Sequence, residues 1–246
     1  MKQASILALV LMIAWSYALP GPQDTENAQN PTPPQSGNSE VTDRVVDAAA
    51  VLKEIMDTPD KSIPQDLLDK CQCVAVIPSM KKAGFIFGGS YGKGVISCRT
   101  DNGNGPWSAP SMLMMSGGSF GLQIGVQATD LVLVVMNLSG IESLLDSKFT
   151  LGGDASVAAG PVGRSASAKT DAWMTAKILA YSRSKGVFAG LSLNGEVVRT
   201  DKDANFVLYK KHLTSKDILF HRMTNVPKDA TLFTNELTKF SPKRQK

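Results

Sequence analysis

Histidine and cysteine are scarce in this chain of 246 residues, and long apolar runs are missing. Only His212 and His221 could serve as imidazole bases or ligands, so chemistry that needs a histidine has few candidates. The three cysteines, Cys71, Cys73 and Cys98, are too few for a disulfide-framework domain. A lone Cys-x-Cys with both histidines far along the chain also falls short of a four-ligand zinc site. The run Ile6 to Trp15 is ten apolar residues. A bilayer-spanning helix needs about 20. Aromatic residues make up 7% of the chain and do not alternate with cations, so a base-stacking platform for nucleic acid is missing. None of the glycine-rich turns is followed by Lys-Ser or Lys-Thr, which excludes a P-loop.

What is present begins with a leader-like N-terminus. Lys2, the apolar run and the small residues of Ser16-Tyr17-Ala18 read as an export signal over residues 1–18. This implies a secreted or periplasmic chain, without a lipoprotein cysteine. Residues 19–41 are rich in Pro, Gln, Asn, Ser and Gly and are expected to form a disordered linker. Charge is uneven beyond this point. Residues 1–150 carry 10 Lys/Arg against 14 Asp/Glu, and residues 151–246 carry 16 against 8. A basic C-terminal part suits an anionic partner.

A first helix is expected from Thr42, as N-cap, to Met56. Val45, Ala48, Ala49, Leu52, Ile55 and Met56 fall on one face at helical spacing. Its other face carries Asp43, Asp47, Glu54 and Asp57, which suits packing on the domain's own core better than lying on an anionic membrane. Short strands are expected at Cys73–Ile77 and Gly84–Phe87, separated by a turn at Ser79-Met80-Lys81-Lys82. Another is expected at Gly94–Arg99, before a hairpin turn over Asp101 to Gly105. Pro110–Ser116, Gly121–Gln127 and Leu131–Asn137 continue the β pattern. Leu131 to Met136 is apolar on both faces and reads as a central strand. Ile141 to Asp146 is expected to be a short helix. Helical or irregular segments follow at Asn205–His212, Ser215–Leu219 and Leu232–Phe240. The fold class is therefore α+β: a largely antiparallel sheet, barrel-like or sandwiched, with helices at both ends.

Two stretches match Gly-x-Ser-x-Gly, around Ser90 and Ser119. Esterase chemistry needs that serine on a strand-to-helix turn, with a histidine to activate it. Extended segments follow both serines here, so turns and close strand approach explain the glycines better. Asp130 and Asp154 fit strand-end carboxylates that accept bonds from backbone amides. Cys98 lies on a later strand than Cys71 and Cys73 and could bridge either of them. The pair Cys73 and Cys98 is the candidate disulfide.

One set of segments is more specific. Tyr181-Ser182-Arg183-Ser184-Lys185-Gly186-Val187-Phe188-Ala189-Gly190 follows Gly160-Pro161-Val162-Gly163-Arg164. Trp107-Ser108-Ala109-Pro110, Gln123-Ile124-Gly125 and Thr129 to Val134 precede them. In this order and spacing the chain resembles the SYLF family of lipid-binding domains, from about residue 42 to about residue 212. The resemblance implies membrane binding without catalysis, no cofactor, and in eukaryotic relatives phosphoinositide binding and actin-patch association. The domain is set at residues 42–225, with a C-terminal helix and basic tail at 226–246. The expected function is binding of an anionic phospholipid membrane, with no nucleic acid and a protein partner left open. The candidate contacts are Arg164, Arg183 and Lys185, then Lys81, Lys82, Lys210 and Lys211, because guanidinium forks and lysine charges both meet phosphate. The rival readings are an envelope or extracellular protein-interaction module and a serine hydrolase.

Overall fold

The computed structural model describes residues 36–246, apart from 59, 85–86, 121–124, 141–147, 164–175, 185–186, 191–192, 222–225 and 243–246. The elements are α1 (Ser36–Met56), α2 (Gln65–Lys70), β1 (Cys73–Gly84), β2 (Phe87–Cys98), β3 (Ser111–Phe120), β4 (Gly125–Val135), β5 (Lys148–Thr150), β6 (Val157–Ala159), β7 (Ile178–Ser184), β8 (Val187–Gly190), β9 (Val197–Thr200), α3 (Lys202–Tyr209), α4 (Ser215–Leu219) and α5 (Thr231–Phe240). The strands form one sheet in the order β5-β9-β3-β2-β1-β4-β7-β6, with β8 paired to β7. All described pairings are antiparallel except β6 with β7. The sheet curls into a half-barrel with helices from both ends of the chain, an α+β fold.

β1 is the centre. It pairs with β2 on one side and β4 on the other along nearly its whole length. Val74, Val76, Val95, Met112, Val132, Val134, Leu179 and Tyr181 form one sheet face, and α1 lays Val45, Ala48, Leu52 and Ile55 on it. Phe233 and Leu237 of α5, the expected C-terminal helix, join the same core. The opposite face holds Ala75, Ile77, Ile96, Leu113, Leu131 and Leu133, covered by Phe149, Val198 and Leu219. Strands buried on both faces lose polar alternation, which is why Leu131 to Val135 is continuously apolar. Gly160 lies where a Cβ would stand 2.2 Å from the Tyr181 ring, so that aromatic side chain needs the glycine.

Several expectations need correction. Ser79-Met80-Lys81-Lys82 is no turn between two strands. It is a bulge within β1, with register shifts against both neighbours and Ser79 at φ 47°. The Asp130 carboxylate accepts the Ser79 amide at 2.9 Å and holds the bulge. The segments read as separate β-runs before and after Thr129 are one strand, β4. The hairpin expected over Asp101–Gly105 is present: the segment joins the antiparallel strands β2 and β3 as a one-turn element with Asp101, Asn102 and Gly103 at positive φ. Helix α1 starts at Ser36, so residues 36–41 are helix and not linker, and Thr42 lies inside it and does not cap it. The added turn is held from outside: Lys93 reaches Glu40 at 2.6 Å, and Lys210 donates to Asn38 at 3.3 Å. The expected helix at Ile141 to Asp146 falls outside the described residues.

Candidate functional site

The ends of the four long strands differ in covering. At one end, Cys73 pairs directly with Cys98, and a disulfide joins them. The nearby Cys71 is buried and outside this bond. Next to this pair, Arg99 stacks over the Trp107 ring at 4.4 Å and donates to the Ser241 and Pro242 carbonyls. Trp107 Nε1 also donates to Ser241, whose hydroxyl bonds Asp69 at 2.7 Å. The segment after α5 is therefore fastened onto this end.

At the other end, the strands run past α1. In register, Val126, Ala83, Gly89 and Gly118 form one row across β4, β1, β2 and β3. Ala128, Lys81, Tyr91 and Ser116 form the next row on the same face. Val126 is 81% exposed and Tyr91 45% exposed. Ala83, Gly89, Gly118, Ala128 and Lys81 are exposed as well. The described partners of β3 and β4 stop short of the outer row: β9 pairs with Leu113–Ser116, reaching the inner row at Ser116, and β7 with Asp130–Val135.

The charge here has one sign. Between Asp69 and Asp130 the chain has one acid, Asp101, against Lys70, Lys81, Lys82, Lys93 and Arg99. Asp101 sits in the connection between β2 and β3, at the latched end. Among the described residues no carboxylate pairs with Lys81. Lys82 points to the opposite face, where its amine lies 3.7 Å from Glu196.

The other candidate cations are placed differently. Arg183 is an internal clamp: it donates from Nε to Asp130 at 2.8 Å, and its Nη atoms meet Asp130 and Glu54. It ties β7 to β4 and α1, and these two carboxylates engage the charge that was expected to meet lipid. Arg164 and Lys185 lie outside the described residues. Lys210 takes the left-handed position that ends α3, and Lys211 is exposed beside it. This pair lies by the start of α1, on elements separate from Lys81 and Lys82. A cleft of about 360 Å³ between α1 and the β1 bulge is lined by Glu40, Asp43 and Asp47 against Arg44 and Lys93. Arg44 is bound to Asp201 at 2.8 Å and Lys93 to Glu40, so this cleft offers no spare positive charge. The Lys93 ammonium, bonded to the Glu40 carboxyl, holds it below the ordinary carboxylate value.

Ser119 lies within β3, and the motif around Ser90 is built into the sheet. Ser90 is in the middle of β2, away from any strand-to-helix turn, and its hydroxyl donates to Glu196 at 2.5 Å. His212 stacks on Phe206 and His221 lies by Asp217, so neither is placed to activate Ser90. Asp154 accepts the Thr150 amide at 2.7 Å, a backbone-holding role. No group of three or more potential metal ligands occurs among the described residues. The exposed rows escaped the residue-by-residue search for cations. The signal was available as the near absence of acids over sixty residues, joined to small and apolar side chains at alternate positions.

Comparison with known proteins defines the setting. The family model described as "Ysc84: Las17-binding protein actin regulator" matches residues 116–240. The chain is similar to LAS seventeen-binding protein 3 of Saccharomyces cerevisiae, 40% identical over 177 residues, covering 71% of this chain and 38% of the relative. It is similar to Protein YSC84 of the same yeast, 40% identical over 171 residues, covering 68% and 36%. It is also similar to human SH3 domain-containing YSC84-like protein 1, 34% identical over 179 residues, covering 70% and 52%. The chain thus matches about half or less of each relative's length. These relatives overturn the secreted or periplasmic placement: they are named for SH3 domains and for binding Las17, in a family described as an actin regulator, and they give secretion no support. A ten-residue apolar run behind a single lysine is a compositional pattern, insufficient by itself to establish export. Residues 1–18 lie outside the described part of the structure. By the family match over half its length, the chain belongs to the Ysc84, or SYLF-domain, family.

Proposed function

We propose that this domain is a non-catalytic binding module for anionic phospholipid at a membrane surface, of the phosphoinositide type. The observation that supports it is the end of the sheet that the described residues leave uncovered, where Lys81 stands exposed and, among those residues, pairs with no carboxylate. Lys82 on the other face of the same strand adds a second cation, partly offset by Glu196. Lysines near an anionic leaflet contribute roughly 1 kcal/mol each, and screening by salt weakens this. Lys210 and Lys211 form a secondary patch, and Arg164 and Lys185 remain candidates by sequence. Arg183 contributes through rigidity, by fixing β7 against β4.

Co-sedimentation with vesicles tests this reading. The domain should pellet with phosphatidylinositol-phosphate vesicles at low salt and stay in solution with phosphatidylcholine alone. Lys81→Glu with Lys82→Glu should weaken binding about tenfold or more, since each lost cation near the leaflet counts for roughly 1 kcal/mol and each 1.4 kcal/mol is tenfold. Equal pelleting with neutral and anionic vesicles would overturn headgroup recognition.

A protein partner is the second reading, because relatives are named for binding Las17. It predicts that the isolated domain is captured by an immobilised Las17-type protein in the absence of lipid. Full retention on a matched blank resin would count against it.

A further inference from the structure

We infer that the uncovered end of the sheet enters the membrane interface face-on, with Val126, Ala83, Tyr91 and Ala128 as its apolar contact and Lys81 as the headgroup contact. This rests on the phospholipid reading above and adds the surface and the mode.

Four observations carry it. First, the two exposed rows are apolar or small, apart from Lys81 and Ser116, and include the side chain of Val126 at 81% exposure. An exposed valine near the start of β4, paired through its backbone with Ala83, buries little there. Second, Gly89 and Gly118 are not demanded by packing. A Cβ at Gly118 would meet nothing within 4 Å, and one at Gly89 would meet only a carbonyl at 3.8 Å. Glycine weakens a strand, so its use where space is open suits a surface that another body must approach closely. Gly92 and Gly94 of the same strand contrast with this, because a Cβ there would collide with Ile77 and Val76. Third, the charge fits one occupant. The strand segments Ser79–Gly84, Phe87–Lys93, Met114–Phe120 and Gly125–Ala128 contain lysines and no acids. An anionic bilayer matches that combination of cations and apolar surface. Fourth, the outer edges of β3 and β4 have no described strand partner in the outer row. Unpaired strand edges cannot enter hydrocarbon, where no water satisfies them. Insertion therefore stops at headgroup depth, with the face down and the edges still hydrated.

The arrangement also answers a shortage of charge. One exposed and one partly paired lysine give weak association alone, and the apolar rows supply the missing affinity.

The test uses the full chain with vesicles of phosphatidylcholine, with and without phosphatidylinositol phosphate. Val126→Asn with Tyr91→Gln changes no charge and alters exposed side chains only, so the fold should be retained, as thermal melting will show. Binding to anionic vesicles should fall about tenfold. Val126→Trp, with bromine-labelled acyl chains as quencher, should show emission quenching beyond that of the parent's own tryptophans. If the parent binds anionic vesicles while the double variant binds equally well and the new tryptophan is unquenched, insertion is wrong and charge-based adsorption stands. If the parent binds no vesicles of either composition, both readings fail. If the double variant converts a dimer to a monomer in analytical ultracentrifugation with unchanged lipid binding, the face is a self-association surface and the inference falls.

Discussion

The latched and open ends of the sheet are made from the same four strands, and they use their residues in opposite ways. At the latched end, side chains fill space: a disulfide spans β1 and β2, and Arg99, Trp107 and Ser241 lock the chain beyond α5. At the open end the strands continue, backbone pairing intact, while helices and neighbouring strands fall away. Hydrogen bonding alone therefore extends a sheet well past its core. Since backbone bonds contribute modestly in net terms, stability is concentrated in the covered part. The open end is free to meet something else.

Substitutions can break this contrast. The largest loss is expected in the covered body from Asp201→Ala. Asp201 caps α3 through the Ala204 amide and holds the buried Arg44 at 2.8 Å. Leaving that buried guanidinium with only Glu40, 3.6 Å away, should remove about 3 kcal/mol, read by urea unfolding. Next comes Cys73→Ala with Cys98→Ala, where opening the 25-residue loop should lower stability by about 2–4 kcal/mol in the same assay. A dithiothreitol-treated parent should match this variant, and an unchanged midpoint in both would show that the latched end does not depend on the bond.

Glycine substitutions give the sharpest comparison within one sheet. Gly94→Ala puts a Cβ 2.2 Å from the Val76 carbonyl and should destabilise by about 1–3 kcal/mol. Gly118→Ala meets open space and should be neutral or stabilising by about 0.5 kcal/mol. Equal losses at both positions would mean that the open end is packed after all.

The smallest effect concerns the first turns of α1. The Glu40 carboxyl is depressed by Lys93, so its contribution is present above the unfolded value near 4.5 and is lost as pH falls through the lower folded value. Lys93 is raised by the same contact, so its contribution holds below 10.5 and is lost at more alkaline pH. A carboxyl titration followed by NMR should give a Glu40 midpoint below 4.5 that rises toward it in Lys93→Ala, with Arg44 still nearby. The pair is largely solvent-exposed, so global stability should barely move.

Parts of this architecture were legible from residue order. The apolar face of α1 is visible in the spacing of Val45, Ala48, Leu52 and Ile55, and a helix with one such face must bury it. The central position of β4 follows from its unbroken apolar run. The bulge at Ser79 was not legible, because Pro78-Ser79 followed by two lysines has the composition of a turn. Only the partner strand's Asp130, fifty-one residues away, turns it into a bulge. The start of α1 was missed for the same kind of reason: residues 36–40 are polar or glycine, and Glu40 and Asn38 are stabilised by Lys93 and Lys210.

The candidate site divides likewise. Arg183 looked like an available cation because its neighbours in sequence are serines. Its carboxylate partners, Asp130 and Glu54, arrive from other elements. Lys81 stays exposed, and its register partners Tyr91 and Ala128 carry no acid.

The order of residues by itself settled the helix faces, the β-rich middle and the excess of positive charge through the first strands, since periodicity and composition are local properties. Which cations are neutralised, which glycines are forced, and which end of the sheet stays open were decided only by tertiary structure. These depend on distances between segments far apart along the chain, and charge and space are balanced only where those segments meet.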